Sequence, residues 1–265
     1  MYKENIVNHG FLEPTIIKDD YIFGAKRSAP IDVLQPNGQW DLFLPENEIQ
    51  IRDFETWNCT AFATLNVLET LLKRKFAGDY NFSERYVGVM AGTDPEKGGN
   101  DPQTVIETIR TKSGIIKDFY IPFDKAKTIE EYYSPKPMLQ SLINIGLDWL
   151  KVFEIKHEYV ENKPKYIKKT LRMSPLGVSV YAWVQDDKTG LYVKPEGEKD
   201  THWTTLYGYE ENKFWKVFDS YDNVKKQLDW NYNFSFVKRY YVGLKQQVKK
   251  TLMQVFLDIL RKFIK

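Results

Sequence analysis

Residues 53–75 read DFETWNCTAFATLNVLETLLKRK, and they contain Cys59, the only cysteine among 265 residues. The stretch changes character at that cysteine. Before it lies a short polar loop. After it, Phe62, Leu65, Val67, Leu68, Leu71 and Leu72 recur at helical spacing, and Lys73, Arg74 and Lys75 follow where a helix dipole is negative. The spacing predicts a helix from Cys59 to about Phe76 with the cysteine in its first turn. Helix N-termini carry unsatisfied N–H groups and about half a positive charge, which favours a thiolate, the nucleophilic form. A lone cysteine cannot form an internal disulfide, so a reducing compartment is the default. Cys59 is then either a small buried hydrophobe or a reactive thiol.

Working outward, residues 1–49 are irregular and aromatic, with turn signals at Pro30, Pro36-Asn37-Gly38 and Pro45, and read as an arm wrapped over the body. A second helix is expected from Ser83 with Glu84 just inside it. A third begins at Pro102 and stops near Gly114, proline at the start and glycine past the end. A short helix fits 138–150. The second half reads as strands: LKVFEIKHEYV, LGVSVYAWV, GLYVKP, HWTTLYGYEE, FWKVFDSYD and FVKRYYVGL. Helices first and strands later make an α+β chain in two lobes, with a groove between them as the natural place for a site. The 15% aromatic content fits such a cleft-bearing body better than a plain helix bundle. With 38 basic and 36 acidic residues interspersed, nothing forms a nucleic-acid-binding stripe. No run approaches the roughly 20 apolar residues of a bilayer span, and the N-terminus lacks the apolar core of a signal peptide.

A nucleophile needs a base, and the base needs a group to orient it. There are three histidines. His9 lies in the arm. His157 sits in a charged strand, where a solvated face is expected. His202 opens the apolar strand HWTTLYGY, and the return strand FWKVFDSYD of an antiparallel hairpin brings Asp219 back beside it. The spacing is compatible with a Cys59–His202–Asp219 triad, and equally with a histidine that merely ends a strand.

With these residues in place, the chain resembles the papain-like cysteine peptidases. NCTAFATLNVLE is similar to their nucleophile helix, with Ala61-Phe62-Ala63 matching its motif. EKGGNDPQTVIETIRTKSGI resembles their segment of paired glycines, proline-led helix and terminal Gly-Ile. SPLGVSVYAW looks like the strand before the histidine, and YEENKFWKVFDSYD looks like the hairpin after it. His202 follows Cys59 by 143 positions, inside the roughly 130–150 of papain and cathepsins. The resemblance covers about residues 50–243. It implies an α+β papain-like two-lobed fold, a helical left lobe bearing the nucleophile helix and an antiparallel β-barrel-like right lobe. On it, the arm is residues 1–49, the catalytic domain 50–243, and a basic amphipathic C-terminal helix 244–265. Cys59 would attack the acyl carbon, His202 would carry the proton, and Asp219 would stand where the family has asparagine. Gly98 and Gly99 would pair with substrate backbone, and Trp203, with GVSVYAW, would give an apolar lining for substrate.

The chain departs from the pattern in three places. The family's oxyanion glutamine lies six residues before the cysteine, where this chain has Asp53 in a loop that looks about one residue shorter. Thr56 or Asn58 is then left as the second donor, and a weak enzyme is implied. Thr60 replaces the aromatic after the cysteine. The family's disulfides are absent, and there are too few residues before Cys59 for its long inhibitory pro-segment, as suits a cytoplasmic or phage-associated protein. The expected function is a cysteine-type peptidase acting on peptide or protein substrates, without cofactor or metal. The alternatives are a peptidoglycan or other amide hydrolase of the same fold, and an inactive papain-like binding module. The tail VKKTLMQVFLDILRKFIK gathers Leu252, Val255, Phe256, Ile259, Leu260 and Phe263 on one face flanked by lysines and Arg261. It suits a membrane surface, a protein partner, or packing back on the body.

Overall fold

Cys59–Phe76 forms helix α1, in which every residue from Cys59 to Leu72 is buried. A helix buried on all sides must run through the middle of the molecule, and the rest of the chain is arranged around it. The computed structural model describes residues 10–17, 20–24, 29–46, 49–134, 139–221 and 225–263, with side chains from 255 onward outside the description. His9 therefore lies outside the described residues.

The helices end as their sequences dictate. In α1, Lys73-Arg74-Lys75 fill the last turn, and Ala77, in the left-handed region, returns its N–H to the Lys73 carbonyl. Helix α2 (Glu84–Ala91) is capped by Ser83, whose hydroxyl accepts from the Tyr86 N–H. Helix α3 (Pro102–Thr108) is capped by Asp101, accepting from Gln103 and Thr104 N–H groups, and runs into a π-helical turn at Ile109–Ser113 before Gly114. Short α4 (Ile129–Tyr133) and longer α5 (Leu139–Val152) complete the helical side.

Strands follow: β1 (Phe153–Tyr159), then, after helix α6 (Pro164–Leu171), β2 (Leu176–Val180), β3 (Val184–Gln185), β4 (Tyr192–Val193), β5 (His202–Glu210), β6 (Phe214–Phe218), β7 (Lys225–Asp229) and β8 (Val237–Leu244). They form one sheet in the order β1-β8-β2-β5-β6-β7-β4-β3, antiparallel throughout except between β4 and β7. Helix α1 is bonded to the middle of this sheet. Thr205 Oγ1 on β5 donates to the Ala63 carbonyl at 3.1 Å, and the Thr64 and Tyr240 hydroxyls meet at 3.5 Å. The fold is α+β, as the order of patterns implied.

Helix α7 (Gln246–Phe263) closes the description; Leu252 and Met253 on it are exposed. No helix among the described residues is long and apolar enough to cross a membrane. One expectation fails here. His157 is not on a solvated face: it is buried, and its Nε2 lies 2.6 Å from Glu107 Oε1. Strand β1 packs against the π-helical end of α3, so the residue that looked solvent-facing ties the strand to helix α3 instead.

Candidate active site

The β5–β6 hairpin pairs Thr205 with Phe218, and β2 pairs Val180 with His202, so the start of β5 and the residue just past β6 come to the same end of the sheet. There His202 Nε2 and Asp219 Oδ1 are 2.7 Å apart, both side chains fully buried. The ring's other neighbour is Cys59, close enough for the sulfur's charge to act on the imidazole. The structure thus brings Cys59, His202 and Asp219 together. Trp183 and Tyr221 set their rings edge-on to the imidazole, each with centroids at 5.7 Å.

Burial pushes the imidazole pKa down, but the charges of Asp219 and of the Cys59 sulfur, with the hydrogen bond to Asp219, outweigh it and hold His202 up at about 10. Burial likewise pushes the Asp219 carboxyl up, and the positive ring, assisted by Lys226, brings it below the usual carboxylate value. Both directions describe a charged pair rather than a neutral one.

Neither oxyanion candidate reaches this place. Asn58 directs its side chain into the helical lobe, donating to the Glu84 carbonyl at 2.8 Å and the Tyr132 hydroxyl at 3.1 Å and accepting from Thr93 at 3.2 Å. Thr56 Oγ1 donates to the Gln50 carbonyl at 3.0 Å. Counting along the sequence went wrong just upstream. Ile51 pairs with Glu55, and Arg52-Asp53-Phe54 form the tip of a small loop, with Asp53 exposed and Phe54 packed on Phe123. The loop is longer than it looked, not shorter. It shifts the glutamine three places back: Gln50, fully buried, accepts from Ser220 Oγ at 2.9 Å and bonds through its own N–H to the Ser220 carbonyl at 2.8 Å. Its Nε2 donates to Glu55 Oε1 at 2.9 Å, and Glu55 also accepts from the Trp57 N–H and the Tyr221 hydroxyl. The buried side-chain amide beside Asp219-Ser220 is therefore Gln50. An Ile-to-Glu pairing across three polar or aromatic residues was the only signal for it.

The paired glycines and Trp203 also differ from expectation. Trp203 is wholly buried, against the Cα of Gly177 on one side and stacked on Phe11 on the other, with ring centroids 5.7 Å apart. Trp203 therefore lies beneath the arm in this form. Gly98 and Gly99 both take left-handed φ values, 86° and 111°, and Asn100, next to them, pairs with the chain's own arm. The Asn100 N–H donates to the Gly10 carbonyl at 3.0 Å, and the Leu12 N–H to the Asn100 carbonyl at 2.9 Å. Gly10 is squeezed between Gly99 and Trp57; a Cβ on Gly99 would overlap Gly10, and one on Gly10 would overlap the Trp57 carbonyl, with Trp57 Cα at 2.9 Å. Phe11 packs with Cys59, Ala63 and Trp203. The strip between the glycines and the cysteine thus holds residues 10–12, and Cys59 is 0% exposed.

No family model matches this sequence, and no curated protein matches it. Its likeness is to solved structures. The cysteine protease and lectin-like domains of Cwp84, a surface-layer-associated protein of Clostridium difficile, match with a TM-score of 0.61 at 15% identity, over 78% of this chain and 51% of that one. Procathepsin L2 from Tenebrio molitor larval midgut matches at 0.58 and 14%, over 91% and 78%. The ragweed pollen cysteine protease Amb a 11 in its proform matches at 0.55 and 14%, over 76% and 65%. This chain thus spans from about half to just under two thirds of the clostridial and ragweed chains. Identities this low carry the fold and not the activity. The chain has a papain-like fold.

Proposed function

We propose that this chain is a cysteine peptidase whose nucleophile is Cys59. The observation that carries the reading is the buried contact of Cys59 with His202, and of His202 with Asp219, at the head of a helix that lends positive potential to the sulfur. In the resting site the sulfur is thiolate and His202 is imidazolium. The thiolate attacks the carbonyl carbon of the substrate amide, forming a C–S bond as the C=O electrons move to oxygen. Collapse of this intermediate breaks the C–N bond, and the leaving nitrogen takes the proton from His202 Nδ1. The thioester then accepts water, whose proton passes to the now neutral His202, and the thiolate departs with the acid product. Asp219 holds the Nε2–H throughout. The Cys59 N–H and the Gln50 side-chain amide are the donors assigned to the oxyanion. A buried amide at this position supports an active enzyme over a binding module, because the absence of such a glutamine was the main reason to expect inactivity.

In this form residues 10–12 lie along the groove, so turnover needs them to leave it. Some matched structures are, by their descriptions, a proform or a precursor, which supports reading the arm as a cover. Incubating the protein with an unstructured protein such as reduced casein, and reading the products by mass spectrometry, tests the proposal. New termini are expected with the wild-type chain and none with Cys59→Ala or His202→Ala. Cleavage that survives Cys59→Ala would overturn it.

A further inference from the structure

The base of this site carries one group more than a triad. Asp219 offers one carboxylate oxygen to each of two partners: Oδ1 to His202 Nε2 and Oδ2 to Lys226 Nζ, both at 2.7 Å. The Lys226 side chain is 1% exposed and that of Asp219 fully buried. Lys226 reaches this point from β7, where it pairs with Val217 and alternates inward with Leu228. Its ammonium lies 4.8 Å from the Trp183 ring centroid and 5.8 Å from that of Tyr192. A lysine sunk this deep is costly unless its charge is answered, and Asp219 answers it.

The resemblance implies a neutral asparagine where this chain has Asp219. A bare carboxylate there would hold the ring but would also add a full negative charge beside an imidazolium that has to surrender its proton, and an acid held too tightly is a poor proton donor. We propose that Lys226 is a positioning residue of the site: it pairs with Asp219 so that the two together present His202 with an oriented acceptor of no net charge, doing the work of a neutral amide. The proposal rests on the thiol-enzyme reading above.

Among the described residues, the other charged and titratable groups near the ring have partners of their own. Cys59 faces it from α1. Tyr221 contacts it and donates to Glu55, which is also bonded to Gln50 and Trp57. Asp200, two residues before His202, is taken by Ser179 Oγ at 2.6 Å and Lys194 at 2.8 Å. Lys226 is thus the cation that acts on Asp219 from the sheet side.

The test is a proton-carbon NMR titration of the histidine rings in four forms of this chain: wild type, Asp219→Asn, Lys226→Met and the double variant. The same spectra show whether each is folded. Asp219→Asn alone installs the asparagine of the resemblance but strands the lysine charge, so the His202 midpoint is expected to fall by about 1–3 pH units. Adding Lys226→Met should bring it back up by about one unit or more, although the second substitution taken alone removes a cation and no ring contact. Coincident midpoints for Asp219→Asn and the double variant would overturn the proposal. Should Asp219→Asn fail to fold, wild type against Lys226→Met decides: the substitution is expected to raise the midpoint, and an unchanged midpoint overturns the proposal. A wild-type His202 that titrates like a free imidazole would instead sink the thiol-enzyme reading, a result separable from either of these.

Discussion

Gly10→Ala should uncover the cysteine. Gly10 sits at φ 94°, where an L-residue is strained by about 1–2 kcal/mol. Its new Cβ would also overlap the Trp57 carbonyl. What holds the arm down is the burial of Phe11, ~1.5–3 kcal/mol, and two hydrogen bonds to Asn100 at about 1 kcal/mol each. Ordering residues 10–12 takes back much of this. A tilt of 1–2 kcal/mol therefore corresponds to on the order of a 5–30-fold larger open population, with the Trp57 overlap pushing toward the upper figure. The assay is the rate of iodoacetamide labelling of Cys59, followed by intact mass at pH 6; with one cysteine in the chain, each addition reports that sulfur. Gly24→Ala is the control: Gly24 has φ 87° and nothing within 4 Å of its Cβ position, so the backbone strain is similar and the groove untouched. Its labelling should match wild type. A folded Gly10→Ala protein that labels no faster than wild type would refute the claim that the arm covers the sulfur.

Once the arm is lifted, Gln50→Ala should cut kcat for peptide hydrolysis by about 10²–10³, whereas Asp53→Ala, exposed at the loop tip, should leave it unchanged; equal effects would show that the sequence count and not the fold locates the donor. Away from the site, hydrogen bonds from His157 and Arg110 hold the Glu107 carboxyl at about 2, below its ordinary 4.5. The fold favours the ionised form, so this contribution is whole above about pH 4.5 and drains away as pH falls toward 2. Glu107→Gln should therefore flatten the loss of urea stability across that window, and an unchanged pH dependence would contradict the assignment.

How far the sequence could be read follows from what local pattern encodes. Helix α1 was legible to the residue because its apolar spacing, its basic last turn and the polar loop before Cys59 all mark the same limits. The hairpin that brings Asp219 to His202 was legible because a short turn between two apolar antiparallel strands leaves the return strand little freedom. Gln50 was missed because counting back from Cys59 presumes an uninterrupted loop, and the Ile51–Glu55 pairing adds three residues that periodicity does not register. Lys226 was missed because KKQLD looks like a solvated charged run; only its alternation with Leu228 puts one lysine inward. Trp203 was read as lining for substrate, and in this form Phe11 of the chain's own arm stacks on it. The arm at Gly10–Leu12 has no local pattern at all. Its place is fixed by contacts with Trp57, Asn100 and Trp203, each distant in sequence, and only glycines able to sit that close hinted at it.

The central claim is that the sulfur of Cys59 and the ring of His202 share a proton across the groove. It is tested most directly by the pH dependence of Cys59 alkylation between pH 5 and 8, measured in Gly10→Ala with and without His202→Ala. The ion pair predicts a rate that stays nearly level down to pH 5 and, once the imidazole is removed, falls about tenfold per pH unit below ~8.5 as an ordinary thiol does. Two superimposable curves, both falling with acid, would contradict it.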